Sequence, residues 1–291
     1  MYLTRFVDPV DGTAAVGVED EEGVLRRLGC RDLHDLLSLG LPEIGEVVAA
    51  AGPVVPAPVA WLPPVSGLTE VWASGVTYQR SREARIEESS VADVYTLVYD
   101  AERPELFFKS VAWRVVTDGE PIGVRSDSPL NVPEPEVALV ANSDGELVGY
   151  TICDDVSSRS IEGENPLYLP QAKLYAGACA LHRRVRLAWT VPDPTVFEVS
   201  CAITRSGQVV WQSSTTTSQM RRGFDELLSW AFRGDHHPHG MVLSTGTGVV
   251  PELDVTLAEH DEVTIRVPQL GTLSNPVRVG REAFSTDYAR N

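Results

Sequence analysis

Two stretches decide how the chain is read: Val132-Pro133-Glu134-Pro135-Glu136-Val137-Ala138-Leu139-Val140-Ala141 and, shortly after, Leu147-Val148-Gly149-Tyr150-Thr151-Ile152-Cys153-Asp154-Asp155. Both read as β-strands, apolar runs bounded by Pro, Asn, Asp and Gly. Residues two apart in a strand project from one face, so Glu134 and Glu136 stand side by side. Neighbouring carboxylates repel unless a cation lies between them or they share a proton. The prolines remove backbone donors, which suits a strand start or a sheet edge. Taken alone, the pair reads first as a solvated acidic edge that resists strand pairing. Asp155 reverses that reading. It ends the second strand and enters the turn-prone Asp154-Asp155-Val156-Ser157-Ser158, and ligand sites gather at strand ends and the loops beyond them. Three carboxylates with no His or Cys at ligand spacing specify a hard ion, Mg²⁺ ahead of Mn²⁺ or Ca²⁺, and disfavour Zn²⁺.

Outward from this centre the text is mostly β. FEVSCAIT, QVVWQSS, GMVLSTG and DEVTIRV are further short strands between turn residues. Helical spacing occurs from Gln79 to Asp100, and from Thr215 to Phe232 behind a Ser/Thr run suited to capping. Residues 1 to about 52 hold two strand candidates, a helical run with Leu33, Leu36 and Leu37 on one face, and a second helix ending near Ala51. Five prolines between Pro53 and Pro64 make a stiff connector. The expected architecture is a β-rich α+β protein with a small N-terminal domain and linker over 1–64 and a working domain over 65–291.

At 291 residues, with 43% hydrophobic and 22% charged, the chain can bury a sizeable core. A net charge of −17 argues against nucleic acid or an anionic membrane as partner. No run approaches the ~20 apolar residues of a membrane span, and the N-terminus has no signal pattern. Cys30, Cys153, Cys179 and Cys201 are scattered, so a reducing, cytoplasmic compartment is expected. Of 24 basic residues only Lys109 and Lys173 are lysines. Arginine stays protonated in proteins whereas lysine can be tuned as a base, which marks these two for attention. His236-His237-Pro238-His239 lacks the frame of a transition-metal site and reads as a loop.

The order and wording of these segments resemble the fumarylacetoacetate hydrolase superfamily. The resemblance rests on Glu134-Pro135-Glu136, on Gly149-Tyr150 through Asp155-Val156-Ser157-Ser158-Arg159, and on Gln171-Ala172-Lys173. It continues through Thr245-Gly246-Thr247-Gly248-Val249-Val250-Pro251 and Gly271-Thr272-Leu273-Ser274-Asn275-Pro276-Val277. It implies a mixed β-sandwich roll, Mg²⁺ held by Glu134, Glu136 and Asp155, a small 2-keto acid as substrate, and a homodimer or homotetramer. Hydrolytic members carry a histidine where this chain has Ser81, in Gly75-Val76-Thr77-Tyr78-Gln79-Arg80-Ser81. A serine without a base cannot take a proton from water near neutral pH, which speaks against carbon–carbon bond hydrolysis; a C–C bond hydrolase or decarboxylase acting on a related diketo acid is the alternative reading. The wording Ser81-Arg82-Glu83-Ala84-Arg85 and Pro104-Glu105-Leu106-Phe107-Phe108-Lys109 is similar to the sugar-acid dehydratase branch, which acts on acids such as 2-keto-3-deoxy-D-arabinonate. That likeness implies Lys173 and Glu105 as catalytic groups, with Thr272, Ser81, Tyr78 and Arg82 about the substrate.

Overall fold

A computed structural model describes residues 1–88 and 92–284. Its centre is a large sheet in which five neighbouring strands run Leu147–Asp155, Pro135–Ala141, Met241–Ser244, Glu70–Gly75 and Glu105–Val111. Successive pairings are antiparallel except Met241–Ser244 with Glu70–Gly75, which is parallel. These directions bring five termini to the same end of the sheet: the C-termini of Leu147–Asp155, Met241–Ser244 and Glu70–Gly75, and the N-termini of Pro135–Ala141 and Glu105–Val111. A site built there draws on segments scattered from residue 74 to residue 247.

Pro135–Ala141 is buried along its whole length, as a strand covered on both faces must be. Val137 and Leu139, with Tyr150 and Ile152, share an apolar cluster with Val199, Cys201, Ile203, Val263, Ile265 and Leu273. These last belong to a five-stranded second sheet, and its apposition to the first forms the sandwich. Ala138, Val140 and Cys153 alternate to the opposite face and join Leu33, Leu36, Leu37 and Ile44. Glu134 and Glu136 are in phase with this second set.

The N-terminal segment is tied into the large sheet. Tyr2–Val7 pairs along its length with Ala14–Glu19 on one side and, on the other, with Arg184–Leu187 and then Ala60–Leu62, so residues 1–64 have no sheet of their own. Asp32 caps the helix Leu33–Leu37, and Asp35 returns a bond to the cap backbone. Arg5 from the first strand also reaches Asp32, Nε to Oδ1 at 2.6 Å, clamping this helix onto the sheet.

Two helical expectations change at their ends. Gln79–Glu88 and Ala92–Asp100 are helices, and residues 89–91 of the stretch lie outside the described residues. The second run begins later than its spacing predicts: Thr215 and Thr216 complete the strand Gln208–Thr216, and the helix is Phe224–Ala231 with Gly223 as N-cap. β-Branched threonines favour the strand, and this tertiary pairing outweighs local capping chemistry.

Candidate active site

Asp155 and Glu134 meet through the strand register. Cys153 lies opposite Glu136, Asp154 opposite Pro135, and the Asp155 N–H donates to the Glu134 carbonyl at 3.0 Å. Alternation then puts Glu134, Glu136 and Asp155 on one face. One ligand oxygen from each lies within 4.8 Å of the others, and all three residues are buried. The strand is central rather than an edge, and Glu134 and Glu136 are each 2% exposed. The prolines stand at its beginning, where a missing donor does no harm.

Each carboxylate is held differently. Glu134 Oε1 accepts from Arg159 Nε at 3.1 Å and Nη2 at 2.9 Å, while its Oε2 accepts from Lys173 Nζ at 2.5 Å. Glu136 Oε2 accepts from the Ser244 hydroxyl at 2.6 Å and the Gly246 N–H at 2.7 Å. With only neutral donors on it, Glu136 is pushed well above the usual carboxylate range, first by burial and then by Asp155 and Glu134. Asp155 Oδ2 accepts from Lys173 Nζ at 2.9 Å, and Asp155 Oδ1 lies 2.5 Å from Lys109 Nζ. The second contact is an ion pair without hydrogen-bond geometry, so Oδ1 is a buried oxygen that accepts no hydrogen bond among the described residues. An all-oxygen, buried, anionic donor set with one such atom fits a hard dication, Mg²⁺ above all. The three carboxylates would hold it, and Lys173 Nζ would have to yield its place on Glu134 and Asp155.

These residues line a narrow cleft with Ser74, Gly75, Val76, Ser81, Glu105, Phe107, Glu162, Lys173, Gly246 and Thr247. Lys173, 1% exposed, comes from the short helix Leu169–Lys173, and its Nζ also sits 5.3 Å from the Phe107 ring centroid. Glu105 begins its strand opposite Gly75, and its carboxylate presses on that residue so closely that a Cβ there would lie 2.1 Å from Oε2. Gly75 is therefore what lets Glu105 face the cleft. Val76 carries φ of 53°, an unusual conformation for a β-branched residue, at the turn where this strand leaves the sheet.

Some expected residues lie elsewhere. Ser81 reaches the cleft, but its hydroxyl donates to the Tyr78 carbonyl at 2.8 Å and accepts from the Tyr78 N–H at 3.2 Å. Tyr78 is buried outside the lining, its ring against Gly248, and burial followed by the charge of Glu136 raises its phenol above the ordinary value. The Arg82 guanidinium lies over the Tyr99 ring at 5.3 Å, away from the lining. Thr272 is exposed in the second sheet, opposite Arg266, and is not among the residues that line the cleft. Thr247 is the threonine that lines the cleft, its hydroxyl donating to the Pro135 carbonyl at 2.9 Å. Sequence reasoning named no role for Arg159, Glu162 or Thr247. Arg159 had a signal in its place four residues after Asp155, and Thr247 in the Thr-Gly-Thr-Gly segment.

Comparison with known proteins agrees with this geometry. Residues 71–278 match the fumarylacetoacetate (FAA) hydrolase C-terminal family model. A probable 2-keto-3-deoxyxylonate dehydratase of Haloferax volcanii is 52% identical over 208 residues, 72% of each chain. The 2-dehydro-3-deoxy-D-arabinonate dehydratase of Saccharolobus solfataricus is 44% identical over 218 residues, 73% of each. Among solved structures, a 2-keto-3-deoxy-D-arabinonate dehydratase complexed with magnesium and 2,5-dioxopentanoate superposes with a TM-score of 0.84 at 34% identity. That match covers 96% of this chain and 99% of that one. By sequence and by fold, the chain belongs to the fumarylacetoacetate hydrolase family.

Proposed function

We propose that this chain is a Mg²⁺-dependent dehydratase that removes water from 2-keto-3-deoxy-D-arabinonate to give 2,5-dioxopentanoate. One observation carries the reading: a single cleft holds three metal-type carboxylates, a buried lysine among them and Glu105 on another strand, while Ser81 is tied to the Tyr78 backbone. A hydroxyl whose proton is committed to a carbonyl cannot activate water, so C–C hydrolysis has no base at that position. The names of the two curated relatives converge as well. Removing the C2 and C3 stereocentres of a D-pentonate leaves only C4, so the D-arabinose and D-xylose series give one compound.

Bound Mg²⁺ supplies Lewis-acid polarisation of the carboxylate and keto oxygens, which acidifies the C3–H bond and offsets the repulsion between an acid substrate and an acidic protein. In this reading Lys173 takes the C3 proton, a role supported by its Nζ lying among the ligand carboxylates beside which the keto acid's first carbons would sit. Glu105, from a different strand of the same cleft, gives a proton to the departing C4 hydroxyl in this reading, so that water leaves. The remaining steps move one proton off C5 and one off its hydroxyl and return one each to C3 and C4, giving the aldehyde. Arg159 keeps Glu134 oriented, and Ser244 with the Gly246 N–H does the same for Glu136.

The same reading includes Mn²⁺ or Ca²⁺ as substitutes for Mg²⁺ in an all-oxygen site, a homodimer or homotetramer, and a cytoplasmic location. The last is supported by four free cysteines, three of them buried. No described helix is long and apolar enough to cross a membrane. The test is incubation with 2-keto-3-deoxy-D-arabinonate in Mg²⁺ or EDTA with products followed by mass spectrometry. Metal-dependent loss of one water supports the reading; release of CO₂ or of two fragments would replace it.

A further inference from the structure

Lys109 is as deeply buried as Lys173, each 1% exposed, yet it does not line the cleft. It stands on Glu105–Val111 four residues after Glu105, in phase with Glu105 and Phe107, and reaches beneath the site rather than into it. Its Nζ donates to the Lys173 carbonyl at 2.8 Å and the Val156 carbonyl at 3.0 Å, and lies 2.5 Å from Asp155 Oδ1. One ammonium thus joins three pieces of chain: the strand bearing Glu105, the end of the strand bearing Asp155, and the last turn of the helix bearing Lys173.

We propose that Lys109 is a positioning residue that fixes Asp155 and Lys173 relative to each other, so that metal ligand and base are assembled as one unit; this rests on the dehydratase reading. Three observations argue for it beyond burial. First, its ammonium donates to two backbone carbonyls and faces Asp155 Oδ1 as an ion pair, so its printed contacts are all to protein and it does not line the cleft. Second, the carbonyls it holds belong to the base itself and to the residue following the ligand, so a shift of either segment breaks a bond to Lys109. Third, the chain has 24 basic residues of which two are lysines, leaving 22 arginines. A compact ammonium can converge on a carboxylate and two carbonyls in a closed space, whereas the planar guanidinium fork cannot. Lys109 and Lys173 also divide Asp155 between them, one on each oxygen. Without Lys109, Asp155 would turn to Lys173 alone, and the base would lose its set position.

The test uses the full-length chain with Lys109→Met, which keeps the stem and removes the charge, and Lys109→Arg, which keeps the charge and loses the fit. Calorimetric titration with Mg²⁺ alone is expected to show Kd raised about tenfold or more in both, the usual effect of losing a group that orients a metal ligand. At saturating Mg²⁺, kcat is expected to fall about a hundredfold while KM stays within about threefold, the signature of misplacement rather than lost substrate contact. Lys109→Met with Mg²⁺ affinity and kcat close to the parent's would reduce Lys109 to a packing residue and overturn the proposal. Tighter Mg²⁺ binding with unchanged kcat would also overturn it, because Lys109 would then only oppose the dication. Should Lys109→Met fail to fold, Lys109→Arg decides alone: full recovery of both readouts means any cation suffices. The metal titration needs no substrate. A parent that binds Mg²⁺ but leaves the sugar acid intact would therefore sink the dehydratase reading while Lys109 was still judged on metal affinity.

Discussion

Replacing Lys173 by Met removes one ammonium and little else, because the two side chains have similar length and volume. In the metal-free protein, Lys173 Nζ lies 2.5 Å from Glu134 Oε2 and 2.9 Å from Asp155 Oδ2, with all three residues at most 2% exposed. Breaking a buried pair by deleting one partner costs about 3–5 kcal/mol, since the other charge is left in low dielectric without compensation. Lys109 and Arg159 remain to share the burden, which favours the lower end, about 3 kcal/mol. For a chain of this size, 1 kcal/mol moves Tm by roughly 2–4 °C, so melting in EDTA should fall by roughly 6–12 °C. Saturating Mg²⁺ should return most of this, because a dication supplies the carboxylates with the charge that Met does not. Mg²⁺ affinity should be undiminished, as Nζ no longer competes for the same oxygens. Turnover behaves oppositely: with its base gone, kcat should drop by about 10²–10⁴ even in excess Mg²⁺. The assay is a set of melts of parent and variant, each with EDTA and with Mg²⁺, beside steady-state kinetics. An equal Tm deficit in both conditions would refute the shared-site argument, and full turnover would refute the assignment of the base.

Other outcomes follow from the same geometry. Glu134→Gln should weaken Mg²⁺ binding at least tenfold by calorimetry, since it deletes a ligand charge and leaves Arg159 facing a neutral amide; parent-like affinity would remove Glu134 from the metal site. Gly75→Ala should keep fold and Mg²⁺ affinity but lower kcat by about tenfold or more, because its Cβ would displace the Glu105 carboxylate from 2.1 Å. Unchanged kinetics in that variant would mean that Glu105 is not needed where it stands. Away from the site, burial of Asp118 works against its ionisation, but the bond from His182 Nδ1 at 2.7 Å and the neighbouring imidazolium charge prevail and depress its pKa. A depressed carboxylate contributes stability that is present above its unfolded pKa and lost as pH falls through its folded pKa. Asp118→Asn should therefore destabilise the protein at neutral pH and flatten the acid limb below about pH 4, as urea unfolding across pH would register.

Much of the site could be read from the chain because its parts are local. Glu134 and Glu136 are two apart in a strand, a strand has period two, and that alone makes them neighbours. Asp155 at a strand end and Lys173 as one of two lysines were marked by residue type and place, and the family resemblance joined them before any coordinates did. What the chain left open is whatever depends on register and on strand order. Whether Glu134 and Glu136 lie on a wet edge or in a dry centre is settled by which strands flank Pro135–Ala141: one is the nearby Leu147–Asp155, but the other, Met241–Ser244, pairs residues 100 to 106 positions apart. Thr247 rather than Thr272 faces the cleft because Met241–Ser244 ends beside Glu136, whereas Gly271–Val279 belongs to the other sheet; both segments carry similar Gly and Thr signals. The second helix starts at Phe224 because Thr215 and Thr216 find a partner strand, a preference no local window contains. Sequence alone determined the strand text, the carboxylates and the chemistry they suit, since these follow from side-chain type and short spacing. Only the tertiary structure decided the depth of the site, the clamp of Lys109 on Asp155 and Lys173, and the commitment of the Ser81 hydroxyl, because each rests on contacts made at a distance or on backbone geometry that residue type does not encode.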